Sequence, residues 1–285
     1  MADTLIVEVT NGINNIQLHG LQRAGLEKFY TNPVIAEKCF QLFLQHVKPA
    51  HEDLLIEPSA GDGSFVRLMK EFPSTFFCDI QPEHPDVKSM DFLKEYVPPK
   101  DRKIHVIGNP PFGRQSSLAR SFIKKCGSFA ASISFILPKS FKKESFQRSF
   151  PERYHLVYQE DLPDDSFLVE GKTYSVPCVF QIWIRKEEVR PSETIESPSF
   201  YLFVKKNQDP DFSIRRVGIY AGKVDSKTDD KSEQSHYFLK LTVDIPTFLE
   251  DYQRSVTFDF NNTVGPKSIS KPELIKRLNR MYLFV

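Results

Sequence analysis

Between Asn32 and about residue 186, apolar residues recur at two spacings, and the alternation between them organises the chain. Helical spacing comes first, in TNPVIAEKCFQLFLQHV, where Ile35, Cys39 and Phe43 share one face; Asn32 suits an N-cap and Pro33 a first helical residue. Unbroken apolar runs follow in DLLIE (53–57), TFFCDI (75–80), KIHVIG (103–108) and SISFILP (132–138), the texture of strands buried on both faces. Between them lie FVRLMKEF and the stretch from Ser116 to Cys126, both spaced as helices. RYHLVYQEDL and VPCVFQIWIRK are longer strands, too close together for a crossover helix and its loops, and are expected to be antiparallel neighbours.

This rhythm predicts an α/β fold, a doubly wound and mostly parallel sheet finished by an antiparallel C-terminal hairpin. In such sheets ligands lie at the carboxyl ends of the strands. After Arg185 the texture changes: KEEVRPSETIESPS is polar and carries two prolines. The expected organisation is an N-terminal extension at 1–24, the main domain at 25–186, a linker at 187–198 and a small β-rich module at 199–285. In that module FYLFVKK, FSIRRVGIYAGKV and SHYFLKLTV read as strands and KPELIKRLNRMYLF as a helix.

Composition narrows the picture. The 285 residues carry 38 Lys and Arg against 37 Asp and Glu, so no bulk charge commits the chain to a polyanion or a membrane surface. Four scattered cysteines without a CxxC pair read as reduced core residues. The start lacks a basic segment followed by an apolar run, and no stretch has the length of a membrane span. The expectation is a soluble protein of the cytosol or nucleus, monomer or homodimer, with no metal.

At the end of the first central strand, LLIEPSAGDGSF places Glu57 before Pro58, Ser59 and Ala60, with glycines at 61 and 63. The turn feeds a helix N-terminus, where backbone amides can approach a ligand. It departs from GxGxxG, which argues against a dinucleotide; a tight turn with no ligand is the plain alternative. The next strand ends in Asp79 and Ile80, where a carboxylate can accept both hydroxyls of a ribose or stand as a solvated cap. In SMDFL, Asp91 can accept an adenine amine with Phe92 beside the ring, or serve as an N-cap. In a doubly wound sheet all three acids converge on one rim.

NPPF at 109–112 closes the strand at 103–108. An aromatic amine is a poor nucleophile because its lone pair is delocalised into the ring. Two acceptors gripping its hydrogens let the nitrogen pyramidalise. Asn109 offers a side-chain carbonyl and Pro110 a main-chain one, the pair Pro110 and Pro111 adds no competing amide, and Phe112 supplies a face for a planar base. A proline-rich turn that merely ends a strand is the bland reading.

NPPF resembles the catalytic motif of S-adenosylmethionine-dependent adenine-N6 amino-methyltransferases, and EPSAGDGSF resembles their cofactor loop. KFYTNP is similar to their Tyr-Thr-Pro element, with Asn32 inserted. The motif order resembles the gamma class of adenine DNA methyltransferases over residues 25 to 186. The resemblance implies S-adenosyl-L-methionine as cofactor, with Tyr30, Thr31 and Glu57 toward its methionine, Asp79 and Ile80 at the ribose, and Asp91 and Phe92 at the adenine. It also implies Asn109, Pro110, Pro111 and Phe112 as the catalytic loop, Phe167 on the far face of the target base unless it is core, and a direct displacement that needs no metal.

DNA is the expected partner, RNA with an unpaired adenine the alternative, and a protein glutamine side chain the third. Eight cations against one anion between Pro110 and Phe150, among them Arg114 and Lys139, suit a phosphate backbone or a solvated face. SIRRVGIYAGK, a glycine-containing hairpin, adds Arg215 and Arg216 as candidate substrate contacts in the module.

Overall fold

The computed structural model describes residues 29–169, 171–191, 196–260, 262 and 266–282. The expected extension at 1–24 lies outside them. The chain divides into two compact units, Met1–Arg190 and Pro191–Val285.

In the first unit the elements run β1 (Tyr30–Thr31), α1 (Pro33–Val47), β2 (Leu54–Glu57), α2 (Val66–Met69), β3 (Thr75–Asp79), β4 (Lys88–Ser89), α3 (Phe92–Glu95), β5 (Ile104–Gly108), α4 (Ser117–Gly127), β6 (Ser132–Pro138), α5 (Glu144–Gln147), β7 (Tyr154–Asp161), β8 (Phe167–Val169), β9 (Lys172–Tyr174) and β10 (Cys178–Arg185). Seven strands form one sheet in the order β4-β3-β2-β5-β6-β10-β7. β4, β3, β2, β5 and β6 are parallel, and β10 runs antiparallel to both β6 and β7. The doubly wound sheet with its antiparallel hairpin is the arrangement expected from the apolar runs.

Strand periodicity divides the core between the two faces of the sheet. Ile56, Val106, Ile133 and Phe135 pack with Phe122, Ile123 and Cys126 of α4 on one face. Leu55, Ile107 and Ile136 pack with Cys39, Phe40 and Phe43 of α1 on the other. All four cysteines are buried and free.

Two parts of this unit depart from the reading of the sequence. The β7–β10 connection contains the small hairpin β8–β9, and β8 pairs with β1 to make a second sheet. The first residues of the expected linker are bound to the unit. Arg190 donates to the carbonyls of Gln147, Phe150, Pro151 and Tyr154 and lies over the Trp183 ring.

At the amino ends of the strands, His105 bridges the Ser132 hydroxyl (2.8 Å) and Asp53 (3.0 Å), all three buried. This trio is a satisfied polar staple on the pole of the sheet away from the strands' carboxyl ends. Burial, only partly offset by Asp53, holds the His105 imidazole below its ordinary pKa.

The second unit has a four-stranded antiparallel sheet in the order β11-β14-β12-β13, from β11 (Tyr201–Val204), β12 (Phe212–Arg215), β13 (Val224–Asp225) and β14 (His236–Leu241). Helices α6 (Phe248–Ser255) and α7 (Lys271–Asn279) follow, and their Phe248, Tyr252, Leu274 and Leu278 share a core with Ile214 and Leu239. A capping box between Ser270 and Glu273 opens α7. No helix among the described residues is long and apolar enough to cross a membrane.

Candidate active site

The strand order reverses direction between β2 and β5, and this topological switch point opens a crevice at their carboxyl ends. A cleft of about 220 Å³ lies there. One wall is the turn after β2. Gly61 adopts φ +49°, and a Cβ at that position would sit 3.1 Å from the Tyr30 ring. Gly63, at φ +83°, faces His84 so closely that a Cβ would lie 2.5 Å from the imidazole. Both glycines are thus required by the packing of the turn.

Asp79, at the end of β3, closes this wall: its Oδ2 accepts from the Gly61 amide (3.0 Å) and its Oδ1 from the Gln81 amide (2.8 Å). The Tyr30 hydroxyl donates to Glu83 Oε1 at 2.5 Å. Burial first, and then Glu83, push the Tyr30 phenol pKa up.

Beneath the turn Glu57 is 2% exposed, and its Oε2 has no hydrogen-bond partner. Burial, and then the charges of Asp62 and Asp79, drive its pKa well above the ordinary carboxylate range. The carboxylates of Asp62 and Asp79 make this corner receptive to a cation.

The opposite wall is the loop after β5. The Asn109 Nδ2 donates to the Phe29 carbonyl (3.0 Å), and the Asn109 carbonyl accepts from the Ser59 hydroxyl (3.2 Å). The Asn109 Oδ1 is buried and has no partner. The Phe112 carbonyl accepts from the amides of Leu118 (3.1 Å) and Ala119 (3.3 Å), clasping the loop to the start of α4. Next to it Gln115 (φ 53°) and Ser116 (φ 61°) are both left-handed, backbone strain concentrated beside the cleft.

Tyr30, Pro58, Ser59, Gly61, Asp79, Ile80, Asp91, Phe92, Asn109, Pro110, Pro111 and Phe112 all line the cleft. Asp91 is also an N-cap: its Oδ1 accepts from the Leu93 amide (3.1 Å) and its Oδ2 pairs with Lys94 (2.9 Å). Phe92 is 2% exposed and lies nearly parallel to Phe122, so it forms part of a wall. The cleft is completed by Phe29, Gln81, Met90, Leu93, Leu118 and Phe122, which sequence reasoning missed. The helical spacing of Leu118 and Phe122 was the available signal for those two.

Other expected residues do not reach the cleft. Thr31, Glu57, Ala60 and Gly63 support it from behind; the Thr31 carbonyl accepts from Ser64 Oγ, and the Ala60 amide donates to the Cys78 carbonyl. Phe167 is fully buried, paired through β8 with Thr31 and packed edge-on to Phe29. It is therefore a core residue and offers no face to a base. Asn32, the apparent insertion, caps α1 by accepting from the Val34 amide, and its Nδ2 donates to the Asp165 carbonyl.

The basic strip is weaker than its composition suggests. Lys139 and Lys142 both pair with Asp161 of β7 at 3.0 Å. Burial works against the Asp161 carboxylate, but the two ammonium groups outweigh it and hold its pKa low. Arg148 pairs with Glu144, and Arg120 lies over the Phe146 ring. Lys139 is thus a paired structural residue, whereas Arg114 is exposed. Arg215 and Arg216 belong to the second unit.

No family model and no curated protein matches the chain. Among solved structures it is similar to the type I restriction-modification system methyltransferase subunit from Streptococcus thermophilus. The identity is 14%, the match covers 83% of this chain and 55% of that one, and the TM-score is 0.45. It is also similar to TrmN from Thermus thermophilus, at 13% identity over 54% of this chain and 49% of that one, with a TM-score of 0.39. Likeness at this level bears on neither reaction nor substrate.

Proposed function

We propose that the chain is an S-adenosylmethionine-dependent methyltransferase acting on the exocyclic amine of adenine in DNA, with the base turned out of the helix into the cleft. The observation that carries this reading is the Asn109 Oδ1, a buried acceptor without a donor, fixed in direction by the Phe29 carbonyl at the switch point of the sheet. An acceptor left unmatched inside a protein costs about 1–3 kcal/mol, and an incoming N–H would remove that cost.

The residues present fit the cofactor. Asp79 stands at the end of β3 with its carboxylate on the cleft, where it can accept from a ribose. The apolar stretch formed by Met90, Phe92, Leu93 and Phe122 suits a purine. Asp62 and Asp79 favour positive charge near the turn. When bound, the cofactor would supply a methyl group on a sulfonium that departs as a neutral thioether, with no covalent intermediate, and the methylated amine would then lose its extra proton to solvent.

The remaining chemistry belongs to the loop. Asn109 Oδ1 accepts one amine hydrogen and the Pro110 carbonyl the other, which draws the nitrogen toward a tetrahedral shape and directs its lone pair. Pro110 and Pro111 bring no N–H into the pocket and keep the loop stiff. Phe112 provides the stacking face. Methyl transfer can be followed with labelled cofactor against separate DNA, RNA and protein pools, and digestion to nucleosides identifies the modified atom. Label in N6-methyladenine from DNA is the expected result; label only in RNA or only in protein would reject the DNA assignment.

A further inference from the structure

The second unit contains a cavity of about 160 Å³ at the turn between β12 and β13, lined by Arg215, Tyr220, Lys223, Asp225, Lys231 and His236. Its charges are not balanced. Lys231 is held by Asp225 (3.0 Å) and Asp230 (2.8 Å). Arg215 donates through Nε to the Val217 carbonyl and pairs with no carboxylate among the described residues, and neither does Lys223. His236 uses Nδ1 toward Ser235 and Ser232. Burial, and then the positive charge of Arg215 and Lys231, lowers its pKa.

Strand alternation separates the two arginines. Arg216 lies over the Tyr237 ring, 5.5 Å from its centre, and takes no part in the cavity. At the tip of the turn Ile219 is 82% exposed and Tyr220 66% exposed, and Tyr220 also lines the cavity. A cup where Arg215, Lys223 and Lys231 outnumber the single lining carboxylate of Asp225, with an exposed aromatic at its rim, matches a phosphate that has a planar group attached nearby.

We propose that this cup seats one backbone phosphate of an unpaired nucleic-acid strand, held by Arg215 and Lys223, with the neighbouring base stacked on Tyr220. The inference rests on the nucleic-acid reading above and deepens it: the second unit grips the strand through its backbone and one unstacked base. Such a grip is tolerant of sequence, because every phosphate is alike and every base has a face to stack.

The test uses the full chain without cofactor and a fluorescein-labelled twelve-nucleotide single-stranded DNA, with anisotropy read at several salt concentrations. Lys223→Gln should weaken binding and flatten the log–log salt dependence by about 0.7, the loss of one phosphate contact on a single strand. Tyr220→Ala should weaken binding roughly tenfold at every salt concentration and leave the slope unchanged. Arg215→Gln should behave like Lys223→Gln, and Lys223→Arg should restore the slope. Both Lys223 and Tyr220 are exposed, so unchanged thermal midpoints are expected and confirm folding.

Wild-type affinity and slope in all three weakening variants would overturn the inference, even in a chain that methylates nucleic acid. Loss of binding in them would sustain it, even if no methyl transfer were found. A phosphoserine peptide that bound as tightly as the strand and ignored Tyr220→Ala would also overturn it.

Discussion

Asn109→Ala separates a catalytic role from a structural one, because the two sides of the amide act in opposite directions on stability. The substitution removes the hydrogen bond from Nδ2 to the Phe29 carbonyl, worth about 1 kcal/mol. It also removes the buried, unmatched Oδ1, whose burial costs about 1–3 kcal/mol in the free protein. The net effect on folding therefore runs from about zero to about 2 kcal/mol of stabilisation. For a unit of this size that leaves the thermal midpoint unchanged or raises it by up to about 8 °C. Transfer should behave quite differently. Losing one preorganised group that acts on the reacting nitrogen lowers turnover by about 10²–10³.

The assay is single-turnover methyl transfer at saturating cofactor, with calorimetric unfolding of the same preparations. Transfer within tenfold of the parent would refute the assignment of Oδ1 to the amine. A midpoint lowered by more than about 10 °C would mean that the amide is chiefly structural, and the energetic reasoning would fail with it.

Further tests reach other parts of the cleft. Asp79→Asn places an amide where two backbone N–H groups converge, so cofactor affinity by equilibrium dialysis should fall at least tenfold, with turnover at saturation less affected. Glu57 has a folded pKa raised above its ordinary 4.5, so the folded protein binds the extra proton, and stability declines as pH rises from 4.5 through the folded value. Glu57→Gln keeps a neutral group at every pH, and denaturant unfolding between pH 5 and 9 should show that part of the decline removed. Asp161→Asn releases Lys139 and Lys142, so binding to duplex DNA should tighten, with a log–log salt slope steeper by about 1–2; an unchanged slope would mean that the lysines stay turned from the strand.

The large sheet was legible because its strands are buried on both faces and leave continuous apolar runs, as in KIHVIG and SISFILP. Asn32 and Pro33 marked the start of α1 for the same reason that they form it, an acceptor followed by a residue with no amide to donate. The short pieces were hidden: β8 and β9 are three residues each and take their pairing from β1 and each other, contacts that local spacing does not encode. FSIRRVGIYAGKV read as strand around a glycine-containing hairpin, and β12 and β13 form that hairpin, with the turn falling between Arg215 and Val224. Helix α6 was missed because only Phe248 and Tyr252 are buried in an otherwise polar segment.

In the site, the turn, Asp79 and the NPPF loop were readable as motifs. Phe29 was not, since it acts through its main-chain carbonyl, which no side chain announces. The strip of cations misled because Asp161 arrives from a distant strand to neutralise two of them.

The bond between Asn109 and Phe29 also decides which end of a nearly symmetric group meets the cleft. A carboxamide rotated by half a turn would present hydrogens to an incoming amine and repel it, and the two ends differ little in shape. A carbonyl can only accept, so Phe29 admits a single orientation. The polarity of the pocket is thus set by the residue just ahead of β1, eighty positions earlier in the chain. A proteolytic cut between Phe29 and Tyr30 would leave the Asn109 side chain itself intact and still remove what keeps its amide from turning over.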